Sequence, residues 1–225
     1  IMRFVGPPFT FSFQQVGTNC GLIGQNAAVE VDGSAYWMSD NGFFRYTGKL
    51  ESLPCLVEDY VYDDINTVPK QHIYAGLNNL FGEVTWFYPG SGAASNNRSV
   101  TYNYMDSTTD RPVWTTSSLA RSSWADSHIF GKPHGTEYDD DATSDSTVGN
   151  TDGVTVYYEH ETGVNQVKAG TASAIAANIQ TGDFDLDHKG LDGDGEFIMK
   201  VRRVLPDFLS QTGNAIVTLN LKNYP

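Results

Sequence analysis

Cysteine, long apolar runs and basic charge are all scarce in this sequence. Cys20 and Cys55 are its 2 cysteines, too few for a disulfide framework and without metal-site spacing. They read as reduced, largely buried thiols of a chain folded in a reducing cytoplasm. No apolar run approaches the ~20 residues needed to span a bilayer. Residues 1–13 are aromatic, but they carry Pro7-Pro8 and lack a basic lead into an apolar stretch, so they do not read as a secretory signal. Lys and Arg number 14 against 27 Asp and Glu, a formal charge of -13. The basic residues are scattered singly, which argues against tight nucleic-acid binding through phosphate neutralisation. An acidic surface is also an ordinary solubility device.

Aromatic residues and glycine, by contrast, are plentiful. Hydrophobic residues make up 40% of the 225 and aromatics 12%, with 22 glycines. That is enough apolar surface for a core, and enough turns for one large all-β domain or two small ones. The densest pattern lies between Gly24 and Leu53. Residues 27–31 alternate into Asp32-Gly33, and residues 35–38 are aromatic and apolar. Asp40-Asn41-Gly42 turns again, and residues 43–46 run into Thr47-Gly48. Tight hairpin turns need positive φ, which Asn, Asp and Gly tolerate. Hairpins chained this closely make a meander, the shape of one β-propeller blade.

One short helix is expected over residues 56–65, entered after Pro54. Leu56, Tyr60 and Val61 have helical spacing, and Glu58 and Asp59 fall in an early turn where negative charge suits the dipole. Residues 71–79 and 83–88 read as a hairpin about Leu80-Phe81-Gly82. Residues 98–105 follow as a strand with Val100, Tyr102 and Tyr104 on one face, partnered by 113–117. This second set is about as long as the ~40–45-residue blade of repeat propellers. A short strand is expected near 122–130. Between Gly131 and Gly153 the apolar signal gives way to Gly, Ser, Thr and Asp, the composition of a long exposed loop. Beyond it, 154–160, 173–180, 197–204 and 216–221 are strand-like. The expected organisation is a lead-in at 1–16, propeller-like blades at 17–130, an acidic loop or insertion at 131–151, and a β-sandwich-like segment at 152–225. About four blades are needed to close a propeller. Two or three fall short, so the chain reads as the C-terminal part of a longer protein, or else as two complete β-sandwich layers.

The string Tyr36-Trp37-Met38-Ser39-Asp40-Asn41-Gly42-Phe43-Phe44-Arg45-Tyr46-Thr47-Gly48 resembles the tail hub or nozzle proteins of short-tailed bacteriophages. The likeness begins at Thr18-Asn19-Cys20-Gly21-Leu22 and continues to Cys55-Leu56-Val57-Glu58-Asp59-Tyr60-Val61. It resumes at Ile73-Tyr74-Ala75-Gly76, Val84-Thr85-Trp86-Phe87-Tyr88-Pro89 and Tyr102-Asn103-Tyr104. Later blocks are Tyr158-Glu159-His160-Glu161-Thr162-Gly163, Ile179-Gln180-Thr181-Gly182-Asp183-Phe184 and Val201-Arg202-Arg203-Val204-Leu205-Pro206-Asp207-Phe208. The resemblance implies a partial β-propeller with its missing blades upstream, in a virion structural protein of the tail made in the bacterial host cytoplasm. It implies a ring, expected to be a hexamer, that contacts the portal–adaptor and tail fibre or spike proteins. Packaged DNA would be retained and then pass an acidic lumen without specific binding. No catalytic residue, cofactor or stable membrane insertion is implied.

Candidates for chemistry fail on context. Asp185, Asp187, Gly190 and Glu196 match four positions of a calcium-binding loop, but Lys189 stands where an oxygen ligand is needed, and the flanks look like strands. A hairpin loop rich in Asp and Gly explains the same residues. Asp185, Asp187 and Glu196 are thus the metal candidates, with Lys189 against them. Asp139-Asp140-Asp141 and Asp145 read as a solvated loop. His160 and Glu161, as strand neighbours, would point to opposite faces; they read as a strand end opening a turn. His72, His128, His134 and His188 stand alone, without zinc spacing. Ser117-Ser118 and Ser122-Ser123 lack the strand–turn–helix setting of a nucleophile elbow. Asp59, Asp63, Asp64 and Glu83 are candidates for a glycosidase carboxylate pair, and sequence distinguishes none of them.

Trp37, Trp86, Trp114 and Trp124, with 12 tyrosines, raise sugar stacking against the alternative that the rings fill hairpin cores. In Tyr36-Trp37 and Trp86-Phe87-Tyr88 neighbouring rings face opposite ways, so one of each set faces outward or into another sheet. Tyr36, Trp37, Trp86 and Tyr88 are therefore the expected interface residues. The alternative function is a secreted or surface propeller that binds carbohydrate or hydrolyses glycosides.

Overall fold

The computed structural model describes residues 1–139, 154–168, 171–180, 200–205, 207 and 214–220. The chain forms two compact units, Ile1–Ile175 and Ala176–Pro225. In the first unit, β1 (Met2–Gly6) and β2 (Thr10–Phe13) form a hairpin. A meander follows, built from β3 (Ala28–Val31), β4 (Ser34–Ser39), β5 (Gly42–Tyr46) and β6 (Leu50–Leu53). Helix α1 (Glu58–Asp64) and a 3-10 turn at Lys70–His72 lead to a second meander. Its strands are β7 (Tyr74–Asn78), β8 (Glu83–Tyr88), β9 (Arg98–Thr108) and β10 (Arg111–Ser117). A third sheet holds β11 (Ser123–Ala125), β12 (His134–Asp139) and β13 (Val154–Glu159), with the single-turn helix α2 (Ser127–Phe130) between its first two strands. The hairpin of β14 (Asn165–Lys168) and β15 (Thr171–Ala174) follows. The strand pairings are antiparallel, and the all-β expectation holds.

Turn chemistry sets the first meander. Asp32 and Gly33 take φ of 48° and 79°, the two positive values of a primed hairpin turn. At Asp40-Asn41-Gly42 the positive φ falls on Gly42, at 135°. That turn is held from outside: the Tyr62 hydroxyl of α1 accepts the Gly42 N–H at 3.0 Å and donates to the Ser39 carbonyl at 2.7 Å.

The core lies between the two meanders. Met38 and Phe43 from the first meet Val84, Trp86, Val100 and Tyr102 from the second, all buried, with Val61 of α1 among them. Phe43 stands 5.0 Å from Trp86 and 4.8 Å from Trp114 between ring centres. Burying an indole requires a partner for its N–H. Trp86 donates to the Ala27 carbonyl at 3.0 Å and Trp114 to that of Pro54 at 2.8 Å. The opposite face of the second meander is covered too. There Phe87 packs on Trp124 of β11, 5.5 Å between centres, and Trp124 donates to the Leu77 carbonyl at 2.7 Å. A Cβ at Gly76 would lie 2.7 Å from the Trp124 ring, so glycine here permits the close approach of the two sheets.

The three sheets thus stack in chain order, and their first strands are neighbours. Strand β3 lies beside β7, where the Ala75 N–H reaches the Asn26 carbonyl at 2.8 Å, and β7 lies beside β11. The described residues form no closed barrel or propeller.

The short strand expected near 122–130 is present as β11, and two other expectations are corrected. Residues 122–130 hold both β11 and α2, because the chain leaves the strand at Asp126 and closes one helical turn at Gly131, φ 76°. The acidic segment 131–151 is not all loop: β12 occupies 134–139, paired on both sides, and 140–151 lie outside the described residues. The inward residues of β12 are Gly135 and Glu137, so burial there leaves no apolar alternation to read. The sandwich expected over 152–225 is not formed by the described residues. Strand β13 joins the third sheet, β15 stops at Ala174, and 175–180, 200–204 and 216–220 have no strand pairing. Ile175, Ile179 and Ile216 are exposed, and an alternating pattern makes a strand only where one face finds cover.

Candidate functional site

The aromatic residues expected at an interface turn out to lie mostly inside. Tyr36, Trp86 and Tyr88 are buried within the chain, and so is Phe87. Strand β8 sends Trp86 and Tyr88 into the core with the first meander, and Phe87 against the third sheet. Both faces of the strand are covered, so neither can serve a partner. Trp37 alone stays half-buried. It stacks on Phe44 at 5.8 Å on the outer face of the first meander and donates to the Cys20 carbonyl at 2.8 Å. Exposed aromatic surface is found on the β1–β2 hairpin, where Phe4, Phe9 and Phe13 are exposed at 69%, 80% and 77%.

Among the described residues no three His, Cys, Asp or Glu gather to hold a metal ion. Asp185, Asp187, Glu196, His188, Asp140, Asp141 and Asp145 lie outside those residues. The carboxylates considered for glycoside chemistry are dispersed. Asp59 and Asp63 are exposed on α1, while Asp64 pairs with Arg98 at 3.2 Å. Glu83 is held above the usual carboxylate range, first by burial and then by the negative charge of Glu161. Glu161 accepts from the buried Asn78 at 3.1 Å. The two free thiols are part-buried, and burial pushes Cys55 up to about 12.

A buried polar network joins the third sheet to the second. The side chains of Arg121 and Glu137 are 6% and 4% exposed and meet at 3.1 Å. Arg121 Nε donates to His160 Nε2 at 3.0 Å, and the guanidinium lies 4.0 Å over the Tyr158 ring. Burial, then the charges of Arg121 and His134, push the His160 imidazole down to about 4. It is therefore neutral at pH 7, with a lone pair free to accept from Arg121. Asn96 Nδ2 donates to the His72 carbonyl at 2.6 Å and the Arg121 carbonyl at 2.8 Å. The network fastens strands; it places no activated nucleophile. Sequence reasoning missed it because residues 16 apart in the chain carry no shared local pattern.

Across the neighbouring first strands runs a groove with two basins that share Asn26 and Tyr74. One, of about 340 Å³, is walled by Gln25, Glu30, Gly76, Trp124 and Asp126. Its carboxylates are tied down. Glu30 Oε1 accepts the Gly33 N–H, and Asp126 accepts the Asn79 N–H at 3.2 Å and its Nδ2 at 2.6 Å. The other basin, of about 270 Å³, is walled by Gln71, His72, Ser95, Asn96, Ser122 and Tyr138. It contains no Asp, Glu, Lys or Arg and no aliphatic side chain.

No protein-family model matches this chain, and no curated protein matches it. Among the described residues no helix is long and apolar enough to cross a membrane.

Proposed function

We propose that this chain is a structural subunit of a bacteriophage tail, part of a hub or nozzle ring that retains packaged DNA and lets it leave. The observation that carries the reading is the stacking of three consecutive sheets through adjacent first strands, β3 by β7 and β7 by β11. A propeller repeats this relation radially about a channel. Among the described residues, aromatic rings lie at both ends of the stack. At one end Trp37 lies on Phe44, and at the other His134 stacks on an exposed Tyr157 at 5.3 Å. Open sheet edges and aromatic faces in a soluble assembly must be paired or covered. Further blades and neighbouring subunits, in a ring expected to be a hexamer, supply that cover. Portal–adaptor and fibre or spike proteins then contact the ring. The formal charge of -13 keeps passing DNA from sticking.

The action is mechanical and electrostatic, with no catalytic residue. Mass photometry of the purified protein and electron microscopy of phage particles test it. A cyclic oligomer coaxial with the DNA channel is the expected result. A stable monomer absent from particles overturns it.

A further inference from the structure

We infer that the groove across the first strands binds a neutral saccharide. The inference stands on the groove itself and does not require the ring. The larger basin is lined by the Tyr74 ring, and sugar C–H faces pack on aromatic rings of this kind. In the smaller basin the groups are polar: the amides of Asn26 and Gln71, the hydroxyls of Ser122 and Tyr138, and the His72 imidazole. An amide presents a donor and an acceptor side by side, and a hydroxyl can do either. That pattern matches vicinal sugar hydroxyls, which also donate and accept.

The same lining excludes other ligands. Neither basin contains Lys or Arg, the residues that recognise phosphate and carboxylate. Glu30 and Asp126 at the larger basin repel anions further, while their oxygens accept from hydroxyls. A purely apolar ligand would strip water from these amides without replacing the bonds.

Asn96 belongs to the wall itself. It is buried, its nitrogen is committed to two carbonyls, and its Oδ1 has no donor among the protein groups. Because Tyr74 and Asn26 line both basins, the groove suits two linked sugar units better than one.

The test is isothermal titration and saturation-transfer NMR on the intact protein. The probes are glucose, galactose, maltotriose and cellotriose, with glucuronate and glucose 6-phosphate as charged controls. At least one neutral sugar is expected to bind with Kd of about 1 mM or tighter, an oligomer more tightly than its monomer, and the charged controls at least tenfold more weakly. Tyr74→Ala is expected to weaken binding tenfold or more. Since Tyr74 is also part of β7, Gln71→Ala and Tyr138→Ala serve as surface variants, expected to weaken binding severalfold with an unchanged melting temperature. The inference is overturned if no neutral sugar binds, if charged sugars bind as well, or if neither surface variant alters the affinity. Particle assembly is read separately, so failure here and failure of the tail reading are distinguishable.

Discussion

Replacing Glu137 with leucine would leave the Arg121 guanidinium buried without its carboxylate. The two side chains are 6% and 4% exposed and 3.1 Å apart, so the cation cannot turn to water without opening the contact between β11 and β12. His160 and the Tyr158 ring remain beside it, but neither carries a compensating negative charge. Breaking a buried pair from one side costs about 3–5 kcal/mol. Against a total stability of roughly 5–15 kcal/mol for a domain, that is a large fraction. Glu137→Leu and Arg121→Met are each expected to fall in this range. The double replacement is expected to be far milder than their sum, because the desolvation of both charges disappears with them. Urea denaturation of the four proteins gives the cycle. Tryptophan fluorescence, to which Trp124 contributes 4.5 Å from His160, follows the transition. A loss below about 1 kcal/mol for Glu137→Leu would refute the reasoning, as would a double mutant as unstable as the sum of the singles.

Acid should weaken the same junction. The His160 pKa is pushed down to about 4 in the folded chain against about 6.5 unfolded. The native state therefore binds the proton later than the unfolded state. This contribution is fully present above about pH 6.5 and is lost as pH falls toward 4, by up to about 3 kcal/mol; in His160→Gln that part of the pH dependence should vanish. Gly76→Ala should lower stability by about 1–3 kcal/mol, read as a lower melting temperature, because its Cβ would sit 2.7 Å from Trp124; an unchanged melt would mean the third sheet is not seated there. Cys55, pushed up to about 12, should alkylate far more slowly at pH 8 than an unstructured cysteine peptide, and rapid modification would show that its burial is not maintained.

The first two meanders were legible in the sequence because their determinants are local. Asp32-Gly33 adopts positive φ whatever lies nearby, and the alternation at Val84, Trp86 and Tyr88 specifies a strand with one apolar face. Helix α1 was legible from Pro54 and the acidic turn at Glu58 and Asp59. What covers each face was not legible. Phe87 could have met solvent, a partner or another sheet, and only the placement of Trp124 over Gly76 makes it interior. Strand β12 escaped notice because its buried positions are Gly135 and Glu137, whose burial depends on Arg121, 16 residues away. The groove has the same origin: Asn26, Tyr74, Ser122 and Tyr138 come from four separate stretches of chain. Sequence by itself determined where the chain turns and which residues alternate, since backbone sterics and side-chain periodicity act over a few residues. Tertiary structure decided which aromatic rings are core, which charges are paired and where the polar groove opens, because those depend on contacts between distant segments that local periodicity does not encode.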